Sequence, residues 1–395
     1  MKKLFTLLKL LIIKLLKIKS DIILFTSFNG RYCDNPKYIS EAIYKLNKKI
    51  KIVWLVNDNV TVPYYVKAVK INSCVEVIYR GIAKVIVDNV YCLKYSELCR
   101  NSAIDRVLYS INCWIRKKKG QMCYTTWHGT PLKKMGRDQI GNTIIDNTLE
   151  STEMVLGNTF TQSIMNHLLF EKVKISILGT PRNDLLFQEG NNSYFRDKLK
   201  LYPKHKRIAL FAPSFRTTGS LNDINRSGID QLNMINIPEL CDTLTKRFGG
   251  EWLFACRFHY HVDKAIDWNE LNMKYGNLII NANIGEDMVE YLSISDILIT
   301  DVSSCMFDFA LTNKPCFLFF PDFDIYLNNE RGMYSNITDL PFPFSKDYPS
   351  LIKSIQQFDN NLYCSEIEHL KKTYGYYEDG KSSERIAKYI IDSNF

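Results

Sequence analysis

From Asp21 onward the chain alternates short apolar runs with stretches of helical pattern, and this alternation limits the possible folds more than any other feature. Ile22 to Thr26, Ile52 to Val56 and Lys84 to Asp88 are too short for stable helices and almost wholly apolar, as strands covered on both faces must be. A helical stretch from Lys37 to about Leu46 separates the first two. Tyr64 to Val69 and Val75 to Tyr79 read as further extended segments. Gln121 to Trp127, Met154 to Gly157 and the run from Ile175 continue the strands, with a helix over Thr161 to Phe170. The polar run Gln188 to His205 marks a boundary, and the rhythm then repeats. Strands at Arg207 to Ala212, Trp252 to Cys256, Asn277 to Asn281 and Asp296 to Thr300 alternate with helices at Ile237 to Phe248, Glu286 to Leu292 and Met306 to Thr312. Strands alternating with helices build parallel, doubly wound sheets, and 395 residues suffice for two of them. The expected fold is α/β and GT-B-like: two Rossmann-like domains facing across a cleft, with an N-terminal amphipathic helix. The expected divisions are residues 1–20 for that helix, 21–187 and 207–370 for the domains, 188–206 for a linker, and 371–395 for a C-terminal helical segment packing across the domain junction.

A hydrophobic content of 46% with 23 Tyr and 22 Phe excludes a disordered chain. The net charge of +9 calls for an anionic partner. Much of it lies in residues 2–19, KKLFTLLKLLIIKLLKIK, where Lys2, Lys3, Lys9, Lys14 and Lys17 share one helical arc and leucines and isoleucines fill most of the rest. No uncharged run there is long enough to span a bilayer, and lysines interrupt what would be the apolar core of a signal peptide. The segment reads as a helix lying on an anionic membrane surface; a helix packed on its own domain would show the same apolar face. No nucleic-acid motif accompanies the charge, so no nucleic-acid partner is expected. Eleven cysteines, an odd number without a C-x-x-C, suit a reduced compartment and neither a disulfide framework nor a zinc site.

Open parallel sheets bind ligands beyond the carboxyl ends of their strands, and three such loops carry chemistry. His128 stands in the loop TWHGTPLKKMG, where an imidazole suits a general base; Lys133, Lys134 and Arg137 follow and suit a phosphorylated ligand. Arg257 and His259 leave the strand Trp252 to Cys256 on one side of an extended segment. Metal binding by His259 and His261 would find only Asp263 nearby, so no metal is expected. Ser303 and Ser304 follow the strand ending at Thr300 and Asp301, where a helix N-terminus favours an anion; plain N-caps would look the same. Arg182 and Asp184 of the PRND turn, with Ser214 and Arg216, are further candidates, although Arg182–Asp184 also reads as a structural salt bridge.

The ordered motifs SFNGRYCDNPKY, WHGTPLKKMG, LGTPRNDLLF, FAPSFR, RFHYH and SDILITDVSSCMFDFALTNKPCFLFFPDFDIY are similar, over about Ile22 to Tyr334, to those of the CDP-glycerol glycerophosphotransferase family of teichoic acid and related phosphopolymer synthesis. Val302 replaces a common Tyr and Ser214 a common Thr. The resemblance implies transfer of glycerol phosphate from CDP-glycerol to a hydroxyl of a lipid-linked acceptor with release of CMP, at the cytoplasmic face of the cell membrane and without a cofactor. It implies His128 as the base. Arg257 and His259 would neutralise the diphosphate as CMP leaves, and Ser303 and Ser304 would hold it, with Thr300 and Asp301 shaping the turn. Residues 21–187 would then be the acceptor domain and 207–370 the CDP-alditol domain. CDP-ribitol as donor, a GT-B glycosyltransferase, and a non-catalytic protein binding an anionic polymer remain open.

Overall fold

The computed structural model describes residues 8, 11–28, 30–90, 118–138, 152–168, 173–188, 192–199, 203–214, 216, 228–258, 260–263, 266–283, 287–329 and 332–395. Two parallel sheets dominate. The first contains β1 (Lys19–Thr26), β2 (Lys51–Val56), β3 (Val66–Lys70), β4 (Ala83–Asp88), β5 (Met122–Thr125), β6 (Glu153–Leu156) and β7 (Lys174–Ile177), in the order β3-β2-β1-β4-β5-β6-β7. The second contains β8 (Arg207–Ala212), β9 (Trp252–Cys256), β10 (Ile279–Asn281), β11 (Ile297–Thr300), β12 (Cys316–Phe319) and β13 (Phe344–Ser345), in the order β10-β9-β8-β11-β12-β13. Strand order reverses beside β1 in one sheet and beside β8 in the other. The β1/β4 and β8/β11 pairs are therefore the switch points at which such sheets open a crevice.

The chain divides into two compact units: Met1–His128 with Asn147–Asp184 and Tyr376–Phe395, and Gly129–Asp146 with Leu185–Gly375. In the first unit, alternate residues of β1 serve opposite faces. Ile23 and Phe25 join a core with Trp54, Ile39 and Ile43, whereas Ile22 and Leu24 join Val53, Leu55, Val69 and Ile82. The helix Ser382–Asn394 completes the first of these cores with Ile386, Ala387 and Ile390, packed on the helix Asp34–Leu46. Residues 188–206 carry a helix, Asn192–Lys198, whose Lys198 pairs with the buried Glu290 of the second unit at 2.5 Å.

One expected extended segment is a helix. Val75 to Tyr79 is not extended but lies in the helix Cys74–Ile82. The β-branched residues Val75, Val77 and Ile78 favour a strand, but a capping box outweighs them. Ser73 Oγ accepts from the Glu76 N–H at 3.1 Å, the Glu76 carboxylate accepts from the Asn72 N–H, and Glu76 also pairs with Arg80 at 2.7 Å. A helical turn, Tyr260–Asp263, comes after the strand Trp252–Cys256.

Ile386 is fully buried among these side chains. Ile386→Ala should destabilise the first unit by about 2–5 kcal/mol, measured as a lower denaturant midpoint with an unchanged slope.

Candidate functional site

In the first unit the loops after β1, β4 and β5 meet around His128. Gly30 opens the first loop at φ 100°, where a Cβ would lie 2.4 Å from Ile71 Cδ1 and 2.8 Å from the Asn57 nitrogen. Phe28 (φ 38°), Asp34 (φ 60°) and Trp127 (φ 53°) hold left-handed conformations without being glycine. Such backbone persists only where the surroundings fix it, and here they do. The Phe28 N–H donates to Asn89 Oδ1 at 3.2 Å. Asn35 Nδ2 donates to the Trp127 carbonyl at 3.1 Å, and its Oδ1 accepts from the Arg182 N–H at 3.1 Å. Arg182 Nη1 donates to Asp34 Oδ2 at 2.7 Å and to the His128 carbonyl at 2.9 Å.

His128 Nδ1 lies 3.1 Å from the carbonyl of Asn89. A carbonyl only accepts, so Nδ1 carries the proton and Nε2 keeps its lone pair. The ring sits between Trp127 and Phe28, with centroids at 4.3 and 5.7 Å. Burial lowers its pKa below the ordinary imidazole value, against the opposing Asn89 contact and Asp34 charge, with Arg182 adding to the decrease. A neutral imidazole with an available Nε2 can take a proton from a hydroxyl.

Arg182 thus joins the His128 loop, but Asp184 does not. Its carboxylate accepts the N–H groups of Ser382 and Ser383 at 2.8 and 2.7 Å and so caps the helix that returns to the core. The two residues of the PRND turn serve different partners.

In the second unit the loops after β8, β11 and β12 meet on a buried guanidinium. Arg216 donates through Nε and Nη2 to both Asp322 oxygens at 2.7 Å, and through Nη1 to Asp301 Oδ2 at 2.8 Å and the Ser214 carbonyl at 2.9 Å. Asp301 also accepts from the Ser214 N–H at 2.8 Å and the Val302 N–H at 2.6 Å. Burial works against the Arg216 charge, but Asp301 and Asp322 outweigh it and hold its pKa above the usual value; Arg216 in turn holds Asp322 below the usual carboxylate range despite burial. Thr300 is fully buried and donates to the Ala212 carbonyl at 2.6 Å. Ser303 and Ser304 are half-buried at the start of the helix Cys305–Phe309, where Ser304 makes no side-chain cap bond. Lys133 belongs to this unit, bridges to Met333 and lies 5.8 Å from the Tyr326 ring, which Arg216 also faces at 5.3 Å. Arg257 stands apart, donating to the Ala282 carbonyl at 2.8 Å over the Tyr291 ring. Asp263 accepts from Trp268 Nε1 and Asn283 Nδ2 at 3.0 and 2.7 Å. His259 lies outside the described residues, as do residues 1–7, 9 and 10 of the N-terminal segment.

Sequence reasoning missed Asp34, Asn35, Asn89 and Asp322. The first two and the last lie inside motifs already singled out, CDNP and FPDFD. Asn89 follows β4 and shows no local signal. Two outcomes test the geometry. NMR titration of His128 should give a midpoint below the ordinary imidazole value of about 6.5. Arg216→Met, which strands Asp301 without its counter-charge, should cost about 3–5 kcal/mol in urea unfolding.

The sequence model of the CDP-glycerol:poly(glycerophosphate) glycerophosphotransferase family matches residues 8–392. The teichoic acid poly(glycerol phosphate) polymerase of Staphylococcus epidermidis is 28% identical across 94% of this chain, which spans about half (51%) of that relative. The teichoic acid glycerol-phosphate transferase of Staphylococcus aureus is 26% identical, aligning 94% of this chain with 93% of that protein. Among solved structures, a variant of the wall teichoic acid polymerase TagF soaked with CDPG has a TM-score of 0.75 at 27% identity, over 95% of this chain and 90% of that one. The two parallel-sheet α/β units share this GT-B-like architecture. The chain belongs to the CDP-glycerol:poly(glycerophosphate) glycerophosphotransferase family.

Proposed function

We propose that this chain transfers glycerol phosphate from CDP-glycerol to a hydroxyl of a lipid-linked acceptor in teichoic acid or related surface-polymer synthesis. The observation that carries the reading is the neutral, Nδ1-protonated His128 at the carboxyl end of β5, in a chain matched by the family over residues 8–392. The acceptor oxygen attacks the phosphorus that bears glycerol, and His128 Nε2 takes the hydroxyl proton. A new P–O bond forms as the bond to the bridging oxygen breaks, and CMP leaves with the electron pair. Phosphoryl transfer depends on positioning and charge stabilisation. In this reading Arg257 and His259 offset the charge on the departing CMP, and Ser303 and Ser304 hold the diphosphate. Arg216, Asp301 and Thr300 are buried and shape the loops beside them. The first unit takes the acceptor and the second the donor.

The N-terminal segment supports a place at an anionic membrane surface, and in this reading that surface is the cytoplasmic face. Residues 11–15 are helical, and Leu8, Leu11, Ile12 and Leu15 are exposed, as is Lys17, with Lys14 half-buried. Among the described residues no helix is long and apolar enough to cross a membrane.

CMP release from CDP-glycerol, CDP-ribitol and a nucleotide sugar, with membrane extract as acceptor source, tests the reaction. CDP-glycerol should turn over, and His128→Ala should lower the rate by about 10²–10⁴-fold. Turnover of the nucleotide sugar with silence towards both CDP-alditols would overturn the donor assignment.

A further inference from the structure

The N-terminal segment does not stand alone on the first unit. It crosses the helix Cys74–Ile82 at Gly81, where an added Cβ would lie 2.6 Å from Leu16 Cδ1 and 3.2 Å from the Ile13 Cα. A side chain at this position would have to move Leu16 and crowd the Ile13 backbone. Ile13 is buried in the contact, while Leu8, Leu11, Ile12 and Leu15 point away at 53%, 45%, 41% and 84% exposure. The ammonium of Lys118 donates to the Ile13 carbonyl at 2.9 Å and to the carbonyls of Leu16 and Gly81. These carbonyls lie at the C-terminal ends of both helical segments, where acceptors lack intrahelical partners and the dipole is negative. One cation therefore fastens two helix ends together.

The crossing leaves a second apolar surface beside the first. Ile78, three residues before Gly81, falls on the same helical face, with Val75 one turn earlier. Both are 45% exposed, while Val77, Gly81 and Ile82 of the same helix are buried. Cations lie on or beside the same two elements. Lys67 lies 5.1 Å from the Tyr79 ring of that helix, and Lys14 is close enough to Lys118 to add to the lowering of its pKa, which burial begins.

We propose that the helix Cys74–Ile82 is a second membrane-contacting element: Val75 and Ile78 enter an anionic bilayer beside Leu11, Ile12 and Leu15, and Lys118 with Gly81 locks both elements into one platform. The proposal rests on the membrane reading above and extends it, because an apolar surface joined to the segment that carries Lys14 and Lys17 is complementary to anionic lipid headgroups. The N-terminal segment is then held at a fixed angle to the first unit and does not act as a free tether.

Co-sedimentation of the full chain with phosphatidylglycerol–phosphatidylcholine vesicles tests it, alongside V75D/I78D, the milder V75S/I78S, Lys118→Met and a chain lacking residues 1–19. The Asp pair should lower vesicle partitioning by about tenfold or more with residues 1–19 intact, and the Ser pair by less. Lys118→Met should weaken partitioning too, with thermal melting recorded for each variant to show that it folds. Wild-type partitioning by both folded double variants, with loss only on deleting residues 1–19, would overturn the second element and leave the membrane reading standing. Failure of the wild type to sediment would overturn both. Self-association abolished by V75D/I78D without lipid binding would instead make this face an interface between copies and also overturn the proposal.

Discussion

The ion pair between Arg182 and Asp34 is the contact on which the first unit's site depends. Arg182 arrives from the turn after β7, Asp34 from the loop after β1, and the same guanidinium reaches the backbone carbonyl of His128 after β5. Each loop is irregular, and three non-glycine residues in them have positive φ. Left to themselves they would relax. A planar guanidinium with fixed donor directions binds one carboxylate and one carbonyl at once, which lysine cannot do with the same geometry. Both partners are buried, so removing either would leave the other charge buried without this ion pair, a larger loss than the pair itself contributes.

The second unit solves the same problem in the same way. Its loops after β8, β11 and β12 are drawn onto Arg216, held by Asp322 in a bidentate fork and by Asp301 from below. In both units the parallel sheet supplies the frame and delivers loop ends to the switch point. One buried arginine then sets the loops' positions relative to one another. Beside these networks stand the His128 ring in the first unit and the half-buried Ser303 and Ser304 in the second.

The frame was legible in the sequence because buried parallel strands need continuous apolar runs, and such runs are hard to mistake for anything else. The helix Ile237–Phe248 and strand Trp252–Cys256 appear where pattern places them. Val75 to Tyr79 was misread because a β-branched run and an S-x-x-E capping box conflict, and the capping serine, Ser73, lies outside the run that draws attention. The loops that carry chemistry could be located, since they follow strands, but their wiring could not be read. Arg182 and Asp184 are two residues apart and look like a pair, yet their partners lie 148 and 198 residues away. Asn89 holds both Phe28 and His128 through long-range contacts that leave no local trace.

The arginine network also bears on the base role proposed for His128. A carboxylate alone beside an imidazole would stabilise the charged ring and raise its pKa, so that the ring would already hold the proton it must accept. Asp34 is close enough to push in that direction. Arg182, bonded to Asp34, opposes that push, while burial lowers the pKa. The bond to the Asn89 carbonyl then fixes the proton on Nδ1, because a carbonyl, unlike a carboxylate, orients the ring without adding a full charge. The pair that holds the loops therefore also offsets the carboxylate's pull on His128. Any substitution that breaks it should disturb both the position and the protonation of the ring.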